Sequence, residues 1–131
     1  QLTDIRIFCK TNNLTTWICA HAVTEALRRK HLKGHEYEGQ IPPPNVGDSE
    51  GGAVNSNRAD DMIICHRYIY SPDSWMYTRF YVAKVKMQEL GYKPTSYESP
   101  LMFKSILNNV GFEISGENLI NYRTKKQINL L

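Results

Sequence analysis

The chain has 131 residues, of which 41% are hydrophobic and 22% charged, and its net charge is +3. This balance is typical of one globular domain and excludes a disordered chain. No apolar run approaches the roughly 18 to 20 residues of a membrane-spanning helix, and no basic-then-apolar signal segment begins the chain. We therefore expect no membrane partner.

The three cysteines are Cys9, Cys19 and Cys65. Three thiols cannot all pair, and their spacing matches no metal-binding motif. Each lies in an apolar stretch, so we expect buried, reduced thiols. That use of cysteine is typical of a reducing compartment and predicts a cytoplasmic protein.

The first half of the chain predicts a helix, a strand and a long connection. Apolar residues at helical spacing predict an amphipathic helix over 2–12, which ends at Asn12 and Asn13. The run 14–20 is apolar and β-branched without alternation, which is typical of a strand buried on both faces. A short helix over 23–32 then leads into a connection rich in glycine and proline.

The second half predicts further strands. One or two helical turns over 55–61 precede a second doubly buried strand that begins at Met62. An alternating strand follows over 77–87. The stretches 100–106 and 110–114 resemble a closing hairpin, and the tail from Ser115 is either a docking helix or a frayed end.

Two doubly buried strands predict an α/β domain with a mostly parallel sheet and flanking helices. Ligands of such sheets bind at the carboxyl ends of the strands. His21 follows the first strand, and His66 and Arg67 follow the second, so we expect a polar rim there. The phosphate-binding loop G-x-x-x-x-G-K-[ST] is absent, which excludes a complete nucleoside triphosphatase in this chain.

The run GGAVNSNRADDMIICHR, residues 51–67, contains a glycine-rich loop, an Asn-x-Ala-Asp-like segment, an apolar strand and a closing Arg67. The pair Lys84-x-Lys86 follows on the next strand, and His21 ends the strand upstream. In this order the motifs resemble the RecA-like core of ring-shaped replicative DNA helicases, especially phage primase-helicases. The resemblance implies that residues 1–114 are the carboxyl-terminal part of a RecA-like domain with a C-terminal β-hairpin, followed by a tail over 115–131.

The resemblance also implies roles for particular residues. His21 would sense the nucleotide, Arg67 would contact phosphate, and Lys84 and Lys86 would reach a neighbouring subunit's ATP. Lys86 stands where the family usually has Arg, and it lacks the planar fork of a guanidinium. The residues implied to contact single-stranded DNA are Gly51, Gly52, Asn55, Asn57 and Arg58.

The implied activity is ATP-driven DNA unwinding by a homo-oligomeric ring. ATP and Mg²⁺ would bind the full-length protein, and this chain alone would be inactive as an ATPase and bind no cofactor. Because a sheet without its central strands leaves an apolar edge, we expect self-association or coverage by the tail.

Each of these residues also has a structural interpretation. His21 would be a side chain at the end of a strand, and Arg67 would form an ion pair. The lysines would be charges on an edge strand that discourage aggregation, and the glycines would form a turn. Two other functions stay open: a non-catalytic nucleic-acid-binding or assembly module, and a hydrolase built on His21, His66 and Lys84. A metal site at His31 and His35 is not expected, because nothing fixes its geometry.

Overall fold

A computed structural model describes residues 2–90, 93–106, 108 and 110–119. Its elements, in chain order, are the helices α1 (Leu2–Asn12), α2 (Thr24–Arg28) and α3 (Gly52–Arg58), then the strands β1 (Asp61–His66), β2 (Tyr77–Val85), β3 (Leu101–Ile106), β4 (Gly111–Ile114) and β5 (Glu117–Asn118). Short 3₁₀ turns lie at Val46–Asp48 and Gln88–Leu90.

The five strands form one antiparallel sheet in the order of the chain. The predicted α/β fold, with a mostly parallel sheet and flanking helices, is therefore wrong. The connection from β1 to β2 contains the turn around Ser71, which reverses the chain directly, and a direct reversal gives an antiparallel pair. The register of β1 against β2 shifts between Met62 and Ile63, as at a β-bulge.

The run 14–20 is the second reason for the error. It is not a strand in the structure, and its side chains are exposed rather than buried on both faces. An unbroken apolar run does not by itself distinguish a buried strand from an exposed extended segment. Without that strand, β1 has no parallel neighbour among the described residues.

Two local predictions are confirmed. Helix α1 has the predicted bounds, and β3 pairs with β4 as a hairpin. The sheet continues to β5, so it extends past residue 114 into the predicted tail. Residues 120–131 of that tail lie outside the described residues. Within the described part of the chain, no helix has both the length and the apolar character to cross a bilayer.

The core of the protein is small and aromatic. Its buried apolar side chains are Ala26, Tyr37, Ile64, Tyr68 and Tyr81. Tyr37 comes from the long connection, and Tyr81 lies in the middle of β2. We call residues 29–48 the strap, because this segment lies over the sheet through side-chain contacts instead of strand pairing. The predicted long connection thus has a defined place in the fold.

Candidate functional site

The glycine-rich loop enters α3 through a left-handed turn. Gly51 has φ +88° and Gly52 has φ +58°. A Cβ atom on Gly51 would lie 2.3 Å from the side-chain amide of Asn55, which in turn donates to the Glu50 carbonyl. The backbone therefore requires glycine at position 51, and Asn55 fastens the loop. Gly51, Gly52 and Asn55, which were predicted to contact DNA, therefore have a structural role whether or not DNA binds here.

Lys84 fastens α3 to the sheet. Its Nζ donates to the carbonyl oxygens of Ser56, at 2.6 Å, and Ala59, at 2.7 Å. A cation at this end of a helix satisfies carbonyls that have no partner within the helix and opposes the negative end of the helix dipole. Lys84 is thus engaged inside the protein.

Lys86 lies two residues further along and binds Asp60. The distance from Nζ to the carboxylate is 2.8 Å, and the guanidinium of Arg6 from α1 reaches the same oxygen at 3.2 Å. The hydrogen bond from Lys86 and the positive charges of Lys86, Arg6 and Lys10 lower the pKa of Asp60. Two cations of α1 and one that directly follows β2 therefore act on the same carboxylate.

We call this surface the basic face and define it by its cations, Arg6, Lys10, Arg58 and Lys86. Arg58 lies at the end of α3 and interacts electrostatically with Asp4 of α1, which packs against α3. Asp4, Asp60 and Asp61 are the carboxylates of the face.

Two of the cations on the basic face remain available. Among the described residues, Lys10 and Arg58 have no ion-pair partner within 4.0 Å, and both are exposed, as is Asn57. An exposed cation that is not paired within the protein can neutralise a phosphate without first breaking an internal contact. Lys10, which the sequence did not single out, lies in α1, and α1 packs against α3, which carries the predicted DNA-contact residues Asn57 and Arg58.

Of the four predicted nucleotide-contact residues, Arg67, Lys84 and Lys86 have side chains that are engaged within the protein. Arg67 donates through Nε and Nη2 to the carbonyl of Trp75, at 3.1 and 2.6 Å. Lys84 binds α3, and Lys86 binds Asp60. His21 is exposed, and its backbone carbonyl accepts from Glu50. Arg67 follows β1 at one end of the β1–β2 pair, whereas Lys84 and Lys86 lie at the other end, so the structure does not bring these residues together. We derive no chemical step from them.

A cluster of aromatic and polar side chains joins the strap to the sheet, and the sequence did not indicate it. The rings of Tyr37 and Tyr68 stack at 3.7 Å, and the Arg79 guanidinium lies over both, 4.6 and 4.7 Å from their centroids. Tyr37 and Arg79 are 42 residues apart, so no local spacing relates them. The only available signal was the concentration of Tyr and His in the strap and after β1.

No group of three or more His, Cys, Asp or Glu side chains in the described ranges is arranged to hold a metal ion. Comparisons with protein-family models, with curated proteins and with solved structures find no match. The geometry of this chain and the resemblance of its motifs are therefore the basis for a functional proposal.

Proposed function

We propose that this chain is the single-stranded-DNA-contacting, carboxyl-terminal part of a helicase-type motor, and that it does not hydrolyse ATP alone. The observation that supports this proposal most directly is that Lys10 and Arg58 on the basic face are exposed and have no ion pair within 4.0 Å among the described residues. ATP and Mg²⁺ would be bound by other parts of the full-length protein, which would assemble as a ring. The proposal does not include the mostly parallel RecA-like sheet, because the sheet of this chain is antiparallel.

The motifs behind the resemblance support the proposal by their arrangement. Residues 51–67 form α3 and β1, Lys84 ties α3 to β2, and Lys86 and Arg6 meet at Asp60. The loop, the strand and the lysine pair thus belong to one structural unit. A rigid unit with cations along one surface can follow a phosphate backbone without reading base sequence.

The test is fluorescence anisotropy with a labelled oligothymidine at low and moderate salt. We expect binding that weakens with salt, because cations that contact phosphates release counterions. The double variant Lys10→Gln, Arg58→Gln removes both unpaired cations. It should weaken binding and lower the slope of log affinity against log salt by about 1.4, since each single-strand phosphate contact contributes about 0.7.

The matched control is Lys30→Gln, Lys33→Gln, which removes the same charge from the exposed surface of the strap. If both double variants weaken binding equally, only net charge matters and the basic face is not the site. If the unsubstituted protein does not bind even at low salt, the proposal of DNA contact by this chain is wrong.

Asp60→Asn provides the converse test. Removing the carboxylate frees Arg6 and Lys86 to contact phosphate. A surface ion pair is worth about 0.2–1 kcal/mol, so we expect affinity for the oligonucleotide to rise by a factor of about 1.4 to 5. An unchanged affinity at low salt would show that DNA does not contact these cations.

A further inference from the structure

We propose that the strap is an acid-sensitive lid: it covers Tyr68 and Arg79 while His66 is neutral, and it is released when His66 takes up a proton. This inference does not depend on the proposed DNA contact, because it concerns a different part of the molecule. Its basis is the set of contacts that join the strap to the sheet.

Polar and aromatic contacts fasten the strap. His31 Nε2 hydrogen-bonds to Tyr68 Oη at 2.9 Å, and Tyr37 Oη contacts Ser74 Oγ at 3.1 Å. Arg79 donates to Tyr37 Oη, which itself donates to Glu36 at 2.7 Å. At the two ends of the strap, Arg29 pairs with Asp48, and Tyr97 Oη donates to the Pro44 carbonyl at 3.3 Å.

His66 lies at the centre of these contacts. Its ring meets Tyr68 edge-on, with centroids 4.6 Å apart, and it hydrogen-bonds to the backbone of Ile41 in the strap. Nε2 is buried and has no hydrogen-bond partner among the described residues. A protonated imidazole carries an N–H at both ring nitrogens, so protonated His66 would have a donor at Nε2 with no acceptor in reach, and its new charge would be buried.

The titratable groups around His66 disfavour its protonation. Arg79 of β2 and His31 of the strap both act on His66 electrostatically, while the carboxylate of Glu36 is bonded to Tyr37. Burial first, and then Arg79, lower the pKa of His66 from 6.5 to about 4. The pKa of His31 is lowered as well, by burial and by its stacked neighbour His35. Both imidazoles are thus neutral in the closed state at neutral pH.

The direction of the pH effect follows from this pKa. A released strap leaves His66 in water with an ordinary pKa near 6.5, so the open state binds a proton more readily than the closed one. Above pH 6.5 His66 is neutral in both states, so the ratio of the closed to the open state is at its highest. Its ratio to the open state falls about tenfold for each pH unit between 6.5 and about 4, roughly 300-fold in all.

Hydrogen exchange tests the proposal on the intact protein. Peptides from residues 30–41 and from β2 are followed from neutral pH to about pH 4 by mass spectrometry, with intrinsic exchange rates corrected for pH. We expect the strap to lose protection over this range while β2 keeps it. Protection of the strap that does not change with pH, or that is lost together with that of β2, would overturn the proposal.

His66→Asn tests whether the loss of protection is due to His66, because the Asn side chain is polar and can hydrogen-bond but does not titrate. We expect this variant to keep the strap protected down to about pH 4. His21→Gln is the matched control: it removes an exposed histidine outside the strap and should leave the loss of protection unchanged. Should His66→Asn not fold, His66→Gln replaces it, and the comparison of strap with β2 in the unsubstituted protein still decides the proposal.

Discussion

The strap and the segment over 14–20 differ in what covers their apolar side chains. In the strap, Tyr37 is 4% exposed, stacked on Tyr68 and bonded through its hydroxyl. In the other segment, Trp17 is 78% and Ile18 is 58% exposed, although this is the more apolar stretch of sequence. Burial therefore depends on a complementary partner surface rather than on hydrophobicity alone.

The same comparison separates two kinds of surface. On the side of the strap, the cation Arg79 is engaged within the protein, because it lies over two rings and donates a hydrogen bond to Tyr37. The basic face, on the side of α1 and α3, leaves Lys10 and Arg58 exposed and without an ion pair among the described residues. We assign stability and the acid response to the first side, and contact with DNA to the second.

The largest expected effect comes from breaking the aromatic stack. Tyr68→Ala removes a ring that is 3% exposed and leaves a cavity under the strap, which should lower the free energy of unfolding by about 3–5 kcal/mol. Tyr70→Ala is the matched control, because Tyr70 is 82% exposed and should cost less than about 0.5 kcal/mol. Denaturant unfolding measures both. Equal losses would mean that the stack does not stabilise the fold.

The next largest loss of stability is expected at Lys84, and its neighbour Lys86 provides the comparison. Lys84→Met leaves the carbonyls of Ser56 and Ala59 without their cation, and bonds to a charged group are worth about 1.5–3 kcal/mol. Lys86→Met breaks only an exposed ion pair with Asp60, worth about 0.2–1 kcal/mol. Chemical denaturation should therefore rank Lys84→Met as clearly the more damaging. The opposite rank would contradict the assignment of Lys84 to a structural role.

A smaller effect is expected at the loop that begins α3. Gly51→Ala places a Cβ atom against Asn55 at a φ of +88° and should cost about 1–2 kcal/mol. Gly34→Ala has almost the same φ, +89°, but its Cβ would meet nothing within 4 Å. Thermal unfolding should show a larger loss for position 51. Equal losses would mean that the contact with Asn55 is relieved at no cost.

The smallest effect is expected in the exposed segment over 14–20. Trp17→Ala removes a large ring that is 78% exposed, so the free energy of unfolding should change by less than about 0.5 kcal/mol. The predicted self-association makes a second measurement useful. If copies associate through this segment, sedimentation should show a smaller species for Trp17→Ala. A large loss of stability in a monomer would show that Trp17 is packed.

The sequence predicted the elements that local signals determine. The apolar spacing of 2–12 specifies α1 within a single segment, and the two Asn residues between the apolar runs 100–106 and 110–114 predicted the hairpin that β3 and β4 form. The prediction of a mostly parallel sheet failed because the runs at 14–20 and 62–65 are both apolar without alternation, yet only the second pairs with a strand. Composition does not specify the partner of a strand.

The sites were predicted unevenly for the same reason. Asn57 and Arg58 could be proposed from the sequence because motif residues lie close together in the chain, whereas Lys10 is related to them only through the packing of α1 on α3. Lys84 and Lys86 were found as a pair, but their partners lie 25 or more residues away and were not predictable from spacing. The cluster under the strap depends on contacts of the same long range.

The most direct test of the central claim is to map, by nuclear magnetic resonance, which backbone amides shift when single-stranded oligothymidine is added at low salt. The account predicts that the shifts concentrate in α1 and α3, around Lys10 and Arg58, and that the strap around Tyr37 stays unchanged. Shifts concentrated in the strap, with α1 and α3 unaffected, would contradict the assignment of DNA contact to the basic face.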